Sequence, residues 1–438
     1  MKTKEMKGIT LVALVVTIVV LLILAGVSIN LVLGDNGIIA KAKEAKRKSA
    51  EATQNDLIGM NELAQQLEEK INGSAGGGAG TKVPAEATAE TAPYFPDNTF
   101  TKKEGTIDTG LVIKDANENE YVWVVVPKSL YNNAAYNLNN AKKPSSSTDY
   151  ANIEYCLQQY TATYRNGTNY SDTYAADTDN VGWFADETAY NNLKNSMLKS
   201  VYENGGFYVG RYEAGIGTNR ASIESQVDGK YPVPTTAPVT KADAYPYTYV
   251  TRTQAQNLAS NVNSGTKTSS LMFGVQWDLV LAFMHNKGKI ADSTLTSNST
   301  TIGNYNNSTF DLNRGKYAQY GKLGNTWNNF DSALDSIVVS NETTGKMKKT
   351  EQSSGLNGIL LTTGGTEQSN VMNIYDIAGN VWEWTLEKNS DTSRSCARGG
   401  GYNNAGPGLP AANRNSNSID YSHNLRFPCF TFLGKAER

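Results

Sequence analysis

Asp376 and Glu383 flank the turn-forming pair Gly379-Asn380. Two carboxylates set around a turn, with main-chain carbonyls in the remaining positions, suit a hard cation such as calcium. The same two acids can instead cap turns or pair with Arg398. Between and beside them, Trp382 and Trp384 share one face of a strand and read as core rings. The three cysteines, Cys156, Cys396 and Cys429, have no metal-ligand spacing, so a zinc site is not expected. Cys396 and Cys429 can pair if the last segment returns on itself, and an odd count leaves a thiol free. The two histidines, His285 and His423, are far apart and lack a third, so no three-histidine metal site can form. No Ser-His-Asp set or phosphate-binding glycine loop is present. These residues point to binding, with a hard ion at most, rather than to nucleophilic or redox chemistry.

Several elements must position them. Gly110–Lys114 and Glu120–Val126 flank Asp115-Ala-Asn-Glu-Asn119 and predict a β-hairpin. Helical spacing covers 187–201, with shorter helices over 251–259 and 273–284. Gly206–Gly215 reads as a strand with alternating aromatic residues. The Tyr/Asn-rich stretch 131–182 has no period and reads as an insertion, and 286–345 is polar and irregular. Strands return from Gly358.

The N-terminal part is different. Residues 9–33 form an unbroken apolar run behind the leader lysines Lys2, Lys4 and Lys7. At 1.5 Å per residue, about 25 helical residues reach roughly 37 Å, enough to cross a bilayer. A cleavable secretory signal would be shorter and closed by a small-residue site. Met60, Leu63, Leu67 and Ile71 continue a helical period through 72, and 73–99 reads as a Gly- and Pro-bearing linker. The leader lysines fit a cytoplasmic N-terminus, whereas Lys41, Lys43, Lys46, Arg47 and Lys48 argue the other way. A net charge of −2 over 438 residues gives no reason to expect nucleic acid as a partner.

This N-terminus resembles type IV prepilins. The resemblance implies cleavage after Gly8, methylation of Ile9, and a place at the bacterial cell surface, membrane-anchored or in a filament with other pilins. Thr10 matches the second mature position. Ala13 departs from the Glu at the fifth, which puts filament growth in doubt.

A second resemblance rests on Asn373-Ile-Tyr-Asp-Ile-Ala-Gly-Asn-Val-Trp-Glu-Trp384, Ala397-Arg-Gly-Gly-Gly401 and Leu425-Arg426-Phe427. Together these are similar to the formylglycine-generating-enzyme-like (sulfatase-modifying factor) family, whose core is C-type-lectin-like. The resemblance implies calcium held by the Asp376 and Glu383 side chains with the Gly379 and Val381 carbonyls. The family's oxygenase holds copper with a cysteine pair between these last two motifs. Residues 401–424 contain no cysteine, so an enzyme is not expected, and a formylglycine-generating-type oxidoreductase is the weaker alternative.

From Asn389 to Gly434 there is no Lys, Glu, Gln, Met or Trp, where ordinary usage would place roughly eight. Every residue type that does occur has a codon ending in a pyrimidine. A polar, low-complexity loop could show the same gap. The pattern resembles the variable proteins of diversity-generating retroelements, which vary Asn codons by copying template adenines. It implies a displayed surface of Tyr402, Asn404, Pro407, Leu409, Asn415, Asn417, Ile419, Asp420, Tyr421 and His423. Arg398, Gly399, Gly400, Arg414 and Arg426 are then scaffold.

The expected fold class is α+β: a long N-terminal pilin-type helix followed by a C-type-lectin-like (formylglycine-generating-enzyme-like) domain with irregular loops. The expected boundaries are a leader at 1–8, membrane helix and stalk at 9–72, and linker at 73–99. A hairpin and Tyr/Asn-rich insertion at 100–206, part of the globular domain, and a C-type-lectin-like domain at 207–438 follow, with the candidate variable segment at 397–427. The expected function is a cell-surface adhesin or receptor for a protein or glycan, with a structural minor pilin as a further alternative.

Overall fold

A computed structural model describes residues 86–165, 169–175, 183–219, 235–262, 268–319, 326–332, 338–340, 347–351, 358–390, 394–417 and 432–434. The chain divides into two compact units, Met1–Ala75 and Gly76–Arg438, and every described residue belongs to the second. Gly8, Ile9 and the expected helix and stalk at 9–72 lie outside the described residues.

The expected hairpin is present. Val112–Lys114 and Glu120–Val125 pair antiparallel, Lys114 opposite Glu120. Asp115 closes the turn by accepting from the Asn117 and Asn119 main-chain N–H groups, both at 2.9 Å. The hairpin continues into a six-stranded antiparallel sheet. Its order is Thr101–Glu104, Val112–Lys114, Glu120–Val125, Gly206–Gly210, Phe432–Gly434, Thr268–Ser270. Trp123 sits opposite Tyr208 in this sheet, their rings edge to face at 4.9 Å, and Tyr94 packs edge-on against both. Such contacts add to the area these large rings bury. Ala92 and Tyr94, in the stretch read as linker, are thereby part of the core.

Three helices match the sequence reading. Glu187–Asn204 starts on an Asp186 cap and ends at Gly205 with φ +68°. Arg252–Ser260 begins with a Thr251/Gln254 capping box. Gly274–Asn286 is buried at every position from Gly274 to Met284, so it runs through the interior. A fourth helix, Ser147–Tyr160, lies in the stretch read as an insertion without period.

The second sheet carries the candidate site. Its order is Arg414–Asn417, Ser395–Arg398, Glu383–Asn389 and Tyr170–Ser171, all antiparallel. Cys156 and Cys396 are free and buried, and Cys429 lies outside the described residues.

The expected fold class is corrected. By element count the described residues are mainly sheet, with six helices, of which four have seven residues or more. No described helix is long and apolar enough to cross a membrane. The physical reason lies in how apolar residues are distributed. Among the described residues they are divided among short strands and several helices, in one large core cluster and two smaller ones, and the longest described helix, Glu187–Asn204, is largely polar.

Candidate functional site

The geometry begins with four charged side chains buried together. Arg398 and Arg414 sit opposite each other on adjacent strands. Arg398 donates to Asp278 Oδ1 at 2.8 Å and to Glu387 Oε2 at 2.9 Å. Arg414 donates to Asp278 Oδ2 at 2.6 Å and to Glu387 Oε1 at 2.8 Å. Two cations thus alternate with two anions, and none of the four side chains is more than 1% exposed. Burial alone would raise the Glu387 carboxyl, but the Arg414 and Arg398 guanidiniums outweigh it and hold it well below the usual carboxylate range.

The surroundings explain the close approach. Gly274 opens the interior helix, and a Cβ there would lie 2.1 Å from the Glu387 carboxyl. Asp172 accepts from the Gly274 and Val275 N–H groups at 2.6 and 2.9 Å, satisfying donors that the first helical turn leaves without partners. Arg398 Nε donates to the Asn413 carbonyl at 3.1 Å, and Arg414 Nη1 to the Tyr164 carbonyl at 2.8 Å. The ends of the 399–413 loop are therefore clamped to the interior helix.

The loop itself rests on residues 298–308. The Tyr305 hydroxyl lies 2.8 Å from the Gly399 carbonyl and 2.9 Å from that of Leu409, sharing one proton between them. The Asn306 N–H donates to the Asn404 carbonyl at 2.9 Å, and the Gly406 N–H to Asn307 Oδ1 at 3.0 Å. Trp382 Nε1 donates to Asn404 Oδ1 at 2.8 Å. Gly400 holds φ +77°, and a Cβ there would lie 2.6 Å from the Leu409 carbonyl oxygen.

The residues expected on the displayed surface separate. Pro407 is exposed, while Asn404, Leu409 and Asn415 are half-buried. Tyr402 is corrected: it is 4% exposed and packs with Ala318, Leu360 and Val381, because its ring takes its place in this small apolar cluster rather than facing water. Asn417 is held by strand pairing to Ser395. Ile419, Asp420, Tyr421, His423 and Arg426 lie outside the described residues.

The expected ion site shows a buried acid group. Asp376 accepts from the Ser369 hydroxyl and the Gly364 N–H, both at 2.7 Å, so its oxygens are engaged as turn caps. Burial pushes its carboxyl up to about 6 against these two bonds. Glu383 has both oxygens buried without a hydrogen-bond partner, and so is one oxygen of Glu213. Burial, then Glu213 and then Asp376, push the Glu383 carboxyl well up. Arg398 is committed to Asp278 and Glu387, not to these acids. Glu213 escaped the sequence reading, although a lone acid at the end of the aromatic strand at 206–215 was its signal. Val381 is buried, and the Gly379 N–H donates to the Gly399 carbonyl at 2.8 Å. The Glu383 oxygens have no hydrogen-bond partner, whereas Asp376 is already satisfied. Among the described residues, no group of three or more His, Cys, Asp or Glu is placed to hold a metal ion.

Burial pushes the Cys156 thiol up to about 11 and the Cys396 thiol well above its usual range. His285 Nδ1 is 2.8 Å from the Ile290 carbonyl, at the far end of the interior helix. In comparisons with known proteins, no family model matches the chain and no curated protein matches it.

Proposed function

We propose that this chain is a recognition protein of the bacterial cell surface that presents its C-terminal segment to a protein or glycan ligand. The observation that carries this reading is the clamp formed by Arg398, Arg414, Asp278 and Glu387. It fixes both ends of a loop whose middle, at Pro407, faces solvent. A loop ordered before binding loses little conformational freedom when a ligand arrives. Membrane attachment is supported only by the apolar run at 9–33. A calcium ion at Glu383, with the Gly379 and Val381 carbonyls, would neutralise carboxylates buried beside the loop base.

Variation within 397–427 would make the ligand changeable. Clonal descendants of one cell are sequenced to test this. Substitutions concentrated at Asn codons of 397–427 support it, and an unvarying segment removes it. For binding itself, the full chain is immobilised and screened on glycan and surface-protein arrays beside Pro407→Asp. A ligand held equally by both proteins would place recognition elsewhere.

A further inference from the structure

Three main-chain carbonyls, those of Tyr305, Asn306 and Ser308, converge on one buried point. Carbonyl dipoles aimed at each other repel, and each needs a donor or a cation. The Lys349 ammonium meets all three, at 3.1 Å from Asn306 and 2.7 Å from Ser308, with Tyr305 in closer contact. The Phe310 ring lies 5.5 Å from the same nitrogen. Lys349 is fully buried, and it reaches the point from the short Met347–Lys349 strand rather than from the loop. An ammonium ion resembles potassium in size and charge, and both are satisfied by main-chain oxygens and aromatic faces.

We propose that Lys349 is a tethered cation for this carbonyl cage, and that the cage without its lysine binds a free monovalent cation of ammonium or potassium size. The cage sits under the display loop. Its members Tyr305 and Asn306 are the residues that bond to Gly399, Leu409 and Asn404. The inference stands whatever the loop binds.

Lys349→Ala tests it by rescue. The variant is melted in potassium, ammonium, lithium and choline chlorides at equal ionic strength. Burial pushes the Lys349 amine down to about 7, so the comparison is made at about pH 6, where wild type carries the charge. Potassium and ammonium should raise the melting temperature of Lys349→Ala by about 3 °C or more over choline, saturably, with lithium weaker. Wild type and Lys349→Met, whose side chains fill the space, should respond to all four salts alike. Equal melting of Lys349→Ala in every salt, or the same cation preference in wild type, overturns the proposal. Should Lys349→Ala fail to fold in any salt, nitrogen NMR of wild type decides. A slowly exchanging Nζ signal with couplings to three carbonyls supports the cage, and a freely exchanging one sinks it.

Discussion

Arg398 and Asp278 meet at 2.8 Å with neither side chain exposed, joining the C-terminal hairpin to the interior helix across 120 residues of sequence. The second oxygen of Asp278 takes Arg414 from the neighbouring strand. One carboxylate therefore holds two strands in register. In such a cluster, removing one partner costs more than the pair itself contributes, because the remaining buried charges lose part of their compensation.

Arg398→Met should destabilise the fold by about 3–5 kcal/mol, since Asp278 and Glu387 each lose a partner. Urea denaturation at neutral pH measures this. A loss below about 1 kcal/mol would mean that the cluster relaxes around the gap.

Opposite pH trends are expected from two acids near the same helix. Glu387 is held below its usual range, so its contribution is full above the unfolded value of 4.5 and is lost as pH falls further. Asp172 is pushed from 3.8 up to about 7, by burial first and then by Glu387 and Glu154. Across that window the folded state binds more protons than the unfolded one, so stability declines as pH rises. Asp172→Asn should flatten the decline between those two values, and an unchanged slope in its denaturation curves would assign the decline to other groups.

Calcium should raise the melting temperature of wild type, and chelation should lower it again. Glu383→Gln should abolish the difference, because Glu383 supplies the two buried oxygens that lack partners. The same calcium response in Glu383→Gln would remove Glu383 from any ion site.

Gly400→Ala should cost about 2 kcal/mol or more, from a strained positive φ and the contact with the Leu409 carbonyl. Thermal unfolding checks the loss, and an unaltered melting temperature would show that the loop moves without penalty.

Scaffold and surface should separate within one loop. Tyr402→Ala should lose about 3–5 kcal/mol, as for other large buried rings. Pro407→Asp should change stability by less than about 0.5 kcal/mol, since Pro407 is exposed. Paired urea titrations of the two variants measure the contrast, and similar losses in both would contradict the division.

By itself the sequence determined the local pieces. The Asp115–Asn119 turn specified its hairpin, because a carboxylate accepting nearby N–H groups is a short-range device. Helical spacing marked the helices near 187, 252 and 274. Arg398 and Arg414 were legible as scaffold, though their partners were not. Ser147–Tyr160 was missed although Ile153, Cys156 and Leu157 stand at helical spacing and are buried on one face, because the surrounding Tyr/Asn-rich stretch as a whole shows no period. The tertiary structure alone decided that Glu213 joins Glu383, that Tyr402 turns inward, and that Lys349 fills a cage over 40 residues away in sequence. Among the described residues it also gave a fold that is mainly sheet by element count, where a long-helix class was expected. The reason is physical: turns and caps depend on neighbours within a few residues, whereas a buried charge takes its partners from whatever strands the fold brings together.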